Sequence, residues 1–203
     1  DSVYPSAGID KKVFFEMNPK QKEMQRNKYI GNDNILAFGM SGRISKDKGW
    51  DVFVKAINIL RKEGFTAHYI IVGAGTEEKE LEDLIRKYQL ENSIQRLPLL
   101  PQGELAGFYN AIDYLVFPTK RKGESLGLVA IEAMACGTPV ISSDFAAPKY
   151  YVINDVNGYK FTVNDAEDLA NKMIYCLENE NKKNKLKSGA LKTADMYDKK
   201  EIR

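Results

Sequence analysis

Two carboxylates bracket the most informative stretch of the chain. Glu124 and Glu132 are separated by seven residues, among them Leu126-Gly127-Leu128-Val129-Ala130-Ile131. The run continues as Ala133-Met134-Ala135-Cys136 and stops at Gly137-Thr138-Pro139. A helix apolar almost all round is a buried helix. A carboxylate inside it is costly unless it is paired or hydrogen-bonded. Glu132 therefore needs a hydroxyl, an amide or a cation. A bound sugar hydroxyl would serve, and so would a structural lysine or a backbone donor. Gly127 stands near the helix start, where the free amides of Leu128 and Val129 can donate to an anion. Glu124 lies just before that terminus. There a carboxylate could orient sugar hydroxyls or stabilise positive charge at a reacting carbon.

A second group occupies Ser41-Gly42-Arg43-Ile44-Ser45-Lys46-Asp47-Lys48-Gly49. Arg43 offers a planar, permanently charged fork and Lys48 a mobile point charge. With the helix N-terminus that follows, they suit a diphosphate. The plain alternative is a strand-to-helix turn carrying solvated cations. The Gly-Lys-Ser/Thr ending of a Walker loop is missing, so nucleotide triphosphate hydrolysis is not supported. Gly73-Ala74-Gly75 begins like a dinucleotide fingerprint, but Glu78 stands where the third glycine would fall, and it reads as a tight turn. His68, the single histidine, sits in a strand pattern without a second ligand nearby and reads as structural. Cys136 and Cys176 carry no local catalytic signature.

The elements that must position these residues follow from apolar periodicity. Ile35 to Met40, Ala67 to Val72, Ile94 to Leu97, Tyr114 to Phe117 and Thr138 to Ser142 read as strands, with Gly158 to Phe161 as an edge strand. Trp50 to Lys62, Glu77 to Tyr88, Gln102 to Ala111, Leu128 to Cys136, Ala166 to Leu177 and Lys183 to Met196 read as helices. Such alternation predicts an α/β fold, a Rossmann-like doubly wound parallel sheet with helices on both faces. Ligands then bind beyond the carboxyl ends of the strands, in the loops after Met40, Val72, Leu97, Phe117 and Ser142. Residues 1–34 look irregular and read as a linker or lead-in arm, residues 35–180 as the domain, and residues 181–203 as a helical tail.

Composition narrows the classes. The 203 residues carry 30 basic and 28 acidic side chains, a formal net charge of +2, which argues against a dedicated DNA binder. Two cysteines are too few for a disulfide scaffold and fit a reducing compartment. No apolar run approaches the roughly 18 residues of a spanning helix. The expectation is a cytoplasmic globular domain. Lys182, Lys183, Lys185, Lys187, Lys192, Lys199 and Lys200 read as a solvated helix face, with peripheral contact to an anionic membrane surface as the sharper alternative.

These motifs together resemble the family-four retaining glycosyltransferases of GT-B fold. Glu124 to Glu132 is similar to their signature, and Gly42-Arg43 with Lys48-Gly49 to a second one. Asn157-Gly158 and the Pro5 to Asp10 connector, followed by Phe14 or Phe15, fit the pattern as well. The resemblance implies the C-terminal, donor-binding domain of a two-domain enzyme, entered from the inter-domain linker. It implies that Arg43 and Lys48 hold the donor diphosphate, with the amides of Gly127, Leu128 and Val129. Glu124 would contact the donor sugar, Glu132 the ribose, and the Arg96 to Leu100 loop the base, through backbone at Leu100. No Asp-x-Asp motif is present, so no metal or other cofactor is expected. The donor is a nucleotide-sugar, expected to be a UDP-sugar, and the acceptor a glycan or lipid-linked sugar of a bacterial surface polysaccharide. The family's reaction needs no protein nucleophile. The sequence departs from the family pattern at Pro98, Leu126 and Tyr150. Alternatives are a GT-B nucleotide-sugar epimerase and a non-catalytic flavodoxin-like binding module.

Overall fold

The structure, a computed structural model, describes residues 8–124 and 126–198. The Tyr4 to Ala7 part of the connector, Lys199 and Lys200 lie outside the described residues. Six parallel strands form one sheet in the order β3-β2-β1-β4-β5-β6. They are β1 (Ala37–Ser41), β2 (His68–Val72), β3 (Ile94–Leu97), β4 (Tyr114–Phe117), β5 (Val140–Ser143) and β6 (Gly158–Phe161). β1, β4 and β5 are buried throughout, and their near-continuous apolar sequences reflect cover on both faces. The helices are α1 (Pro19–Tyr29), α2 (Trp50–Lys62), α3 (Glu78–Lys87), α4 (Gln102–Ala111), α5 (Leu128–Ala135), α6 (Pro148–Tyr151), α7 (Ala166–Glu178) and α8 (Lys183–Asp195).

Side chains alternate between two cores across the sheet. Phe38, Tyr69, Tyr114 and Phe161 face one, where they meet Phe53 and Ile57 of α2, Leu81 of α3 and Met173 of α7. Ala37, Ile70, Leu115 and Val140 face the other, with Phe108 of α4, Ile131 of α5 and Ala190 of α8. The chain reverses its direction of winding between β1 and β4. In doubly wound sheets the crevice at that reversal is where ligands bind.

The N-terminal segment departs from the sequence reading. Residues 19–29, expected to be an irregular arm, form a helix that packs against α4. Its start is written in Asn18-Pro19-Lys20-Gln21. The Asn18 side chain accepts from the Gln21 amide at 2.9 Å, the Gln21 side chain accepts from the Asn18 amide at 3.1 Å, and Pro19 takes the first helical position. The sparse apolar pattern hides the helix because few residues dock it. Tyr29 is buried, sets its ring edge-on to Phe108 at 5.8 Å and donates its hydroxyl to the Glu104 carbonyl. Arg26 donates to the Asp113 carboxylate at 3.0 Å and to the Ala111 carbonyl at 3.2 Å. Asp113 also accepts from the Ala37 amide at 2.8 Å and from Lys183 at 2.7 Å. One buried carboxylate thereby ties α1, the start of β1 and α8 together. Ile9 and Phe14, ahead of α1, are buried in the same core.

At the carboxyl ends, three loops are joined backbone to backbone. The loop after β1 runs from Gly42 to Gly49 and ends in a short 3-10 turn, Lys46–Lys48. Gly49 starts α2 with φ +73°, and a β-carbon there would lie 1.8 Å from the Pro118 carbonyl oxygen of the loop after β4. Lys120 donates its amide to the Asp47 carbonyl at 2.8 Å and its ammonium to both Asp51 oxygens at 2.9 Å. On the other side, the Ile44 amide donates to the Ala74 carbonyl at 3.0 Å and the Gly42 amide to Val72 at 3.1 Å. Gly73 and Gly75 therefore do more than turn the chain. Any side chain at Gly73 would strike the Gly42 carbonyl, 1.8 Å away.

Two stability measurements follow. Tyr29→Ala should cost about 3 kcal/mol, since removing a buried aromatic leaves a cavity. For a domain of this size that lowers the melting temperature by roughly 6–12 °C in a thermal scan. A free arm would leave it unchanged. Gly49→Ala combines a left-handed backbone with a backbone collision and should lose about 2–4 kcal/mol in urea titration. Gly123→Ala, with open space around it, should stay within about 0.5 kcal/mol.

Candidate functional site

The loops after β1 and β4 meet at the winding reversal, and each brings one charged residue inward. Lys48 donates to the Glu124 carboxylate at 2.7 Å, and both side chains are more than four-fifths buried. The two lie 76 residues apart in sequence. Arg43 is exposed in the same loop as Lys48, and its guanidinium bonds to no described side chain or carbonyl. Its charge is felt by Asp47. The Ser45 hydroxyl donates to that carboxylate, and this bond, with Lys48, Arg43 and Arg121 nearby, holds the Asp47 carboxyl below its usual range. The loop is thus ordered from within, and its Asp47 carbonyl fastens it to the Lys120 amide.

Three residues beyond Glu124, Gly127 caps α5 with φ +67°. A β-carbon there would come within 2.9 Å of the Tyr151 hydroxyl and 3.1 Å of the Phe117 ring. The Gly127 carbonyl closes the first turn by accepting from the Ala130 amide at 2.9 Å. No described residue accepts from the amides of Leu128 or Val129, which leaves the helix start open to an anion. The Leu128 side chain is partly exposed and Val129 is half-buried.

Glu132 is half-buried, where the apolar sequence around it implied full burial. An eight-residue helix whose start opens on the crevice leaves one edge uncovered. Glu132 is close enough to Tyr109 to act on it. Burial first, and the Glu132 charge second, push the Tyr109 phenol well above its usual range. Tyr109 shares a 2.8 Å hydrogen bond with Ser41 at the end of β1. Sequence reasoning passed over Ser41 and Tyr109. A tyrosine in an apolar helix reads as core, and only the fold sets its hydroxyl at a strand end.

Arg96 and Leu100 sit farther along the same edge. The Arg96 guanidinium donates to the Ile71 carbonyl at 2.9 Å, the Gly73 carbonyl at 3.4 Å and Glu82 at 3.1 Å. It thus braces β3 against the end of β2. Leu100 is half-buried against the second core, beside the exposed Leu99. Among the described residues no group of three or more His, Cys, Asp or Glu side chains is placed to hold a metal ion. No helix among them is long and apolar enough to cross a membrane.

A cavity of about 560 Å³ lies at the opposite pole, under the amino ends of β1, β4 and β5. It contains Lys22, Arg26, Lys183 and Lys187, but each of those cations is already paired with Glu16 or Asp113. The carboxyl-end crevice is the better site. Among the described residues it combines an exposed guanidinium with no hydrogen-bonded partner, open helix amides and a lysine ammonium hydrogen-bonded to a carboxylate.

Comparison with known proteins gives the family. The family model for glycosyl transferases, group 1, matches residues 20–193. A D-inositol 3-phosphate glycosyltransferase of Paenarthrobacter aurescens is 35% identical over 141 residues, covering 68% of this chain and 33% of the relative. The amylovoran biosynthesis glycosyltransferase AmsK of Erwinia amylovora is 30% identical over 132 residues, 63% of this chain and 32% of the relative. The crystal structure of Anabaena Alr3699/HepE with UDP and glucose superimposes with a TM-score of 0.84 at 26% identity, over 96% of this chain and 52% of that one. The chain therefore spans about a third of these curated relatives and about half of the structural neighbour. With the family match running through both charged loops and the six-stranded sheet, the chain belongs to the group 1 glycosyltransferases, as the C-terminal domain of a GT-B fold.

Proposed function

We propose that this domain binds the diphosphate of a nucleotide-sugar, a UDP-sugar, and that the whole enzyme transfers the sugar with retention of configuration. The observation that carries the reading is the Lys48–Glu124 contact at the winding reversal, beside the open amides of Leu128 and Val129. The UDP bound to the HepE neighbour supports the choice of nucleotide.

In this reading the diphosphate replaces Glu124 as the counter-charge of Lys48. Glu124 is then released to accept hydrogen bonds from donor-sugar hydroxyls. Arg43 adds a planar two-pronged donor to the phosphates. Arg43, Lys48 and the helix amides stabilise the negative charge that grows on the leaving diphosphate, so no metal ion is needed for it. The departing phosphate oxygen helps deprotonate the acceptor hydroxyl on the same face, and no protein nucleophile takes part. Glu132 accepts from the ribose hydroxyls, and the backbone near Leu100 meets the base. The acceptor is a glycan or lipid-linked sugar, a reading supported by the polysaccharide-synthesis relative. Acceptor contacts come from outside this domain, so alone it binds donor and transfers little.

Calorimetry with UDP in the presence of a chelator tests the reading. The chain should bind, and Lys48→Ala and Arg43→Ala should each weaken UDP by about ten- to a hundredfold, the worth of a charge-assisted hydrogen bond. Glu124→Gln should weaken a UDP-sugar while leaving UDP within about threefold. No heat with millimolar UDP, or equal binding by the Lys48→Ala variant, would sink it.

A further inference from the structure

The turn that presents the Leu128 and Val129 amides is held from behind by a residue to which the donor motifs give no role. Tyr151, at the end of α6, is 5% exposed. Its hydroxyl donates to the Leu126 carbonyl at 2.9 Å and lies 3.4 Å from the Gly127 carbonyl. A peptide unit is planar and trans, so a carbonyl held in one direction aims the next residue's N–H the opposite way. The Leu126 carbonyl thus aims the Gly127 amide, and the Gly127 carbonyl aims the Leu128 amide. Gly127, in a left-handed conformation and without a side chain, has the least intrinsic resistance to rotation in this segment. The Gly127 carbonyl is also held from within the helix, by the Ala130 amide at 2.9 Å, whereas the Leu126 carbonyl accepts from no described backbone amide, and Tyr151 supplies its donor.

Tyr151 is itself immobilised. Its ring sits edge-on to Tyr197, with centroids 5.8 Å apart. Its carbonyl accepts from the Asn157 side chain at 2.7 Å. Asn157 is fully buried, donates also to the Thr193 hydroxyl on α8 at 2.8 Å, and accepts from the Ile153 amide at 2.8 Å. A chain of hydrogen bonds therefore runs from α8 to the capping turn of α5. Burial keeps the phenol protonated, and hence a donor.

We propose that Tyr151 is a positioning residue for the donor diphosphate: its hydroxyl fixes the Leu126–Gly127 turn so that the Gly127 amide, and the Leu128 and Val129 amides that follow it, face the phosphates. The proposal rests on the donor-site reading above. It assigns Tyr151 no contact with the ligand. Its effect should therefore appear on the phosphates and not on the nucleoside.

The test is nuclear magnetic resonance titration of the whole ¹⁵N-labelled chain with UDP and, separately, with uridine. In the unaltered chain UDP should shift the Leu128 and Val129 amides. Tyr151→Phe keeps the ring and its packing and removes the donor. It should raise the UDP dissociation constant about three- to tenfold, the net worth of one hydrogen bond, with uridine binding unchanged. Equal UDP affinity in both proteins would overturn the proposal. So would a loss of UDP and uridine affinity by the same factor, which marks general loosening. Amides of the unaltered chain that ignore millimolar UDP would overturn the donor site itself, and the proposal with it.

Discussion

The approach of Gly49 to the Pro118 carbonyl is the contact on which the site depends. It brings the loop after β1 against the loop after β4 so closely that neither position has room for adjustment. The Lys120 amide on the Asp47 carbonyl, and the Lys120 ammonium on Asp51, hold the two loops in that register. Only because the backbones touch can Lys48 and Glu124 meet across them. A parallel sheet that reverses its winding between β1 and β4 creates the crevice, and this contact sets its width.

Charge follows from the same arrangement. Buried ion pairs are expensive to assemble and weak as a source of stability. Under the proposed donor binding, polar ligand groups take over each partner of the Lys48–Glu124 pair at the crevice mouth. The pair keeps both charges satisfied until then. At the other pole, Asp113 shows the contrasting use of charge. It is enclosed by Arg26, Lys183 and the Ala37 amide, and it joins three elements permanently. Ion pairs that hold the fold and the pair that serves the site sit at opposite ends of the same strands.

Much of this was legible in the residues. The strand and helix bounds agree with the periodicity to within two residues in most elements, because both faces of the sheet are covered and apolar runs have one meaning there. Beside α1, the sequence reading overlooked α6, whose four residues are too few for any periodicity. In the site, Arg43, Lys48, Glu124 and the Gly127 turn could be named because motif residues cluster locally. Tyr151 could not, because nothing in Pro148-Lys149-Tyr150-Tyr151 tells which tyrosine turns inward. The structure buries Tyr151 and leaves Tyr150 82% exposed.

By itself the sequence determined the alternation of strands and helices, the sites of the turns and the types of residue placed in the loops at the carboxyl ends of the strands. Those properties are local: they depend on side-chain period, on glycine where φ is positive, and on charge placed at a loop. Tertiary structure alone decided that Lys48 and Glu124 share a hydrogen bond, that Arg96 braces carbonyls of β2, and that the Gly73 turn serves the β1 loop. Each of these joins residues more than twenty positions apart. Their distances are set by the sheet's strand order and by backbone contacts that no local pattern encodes.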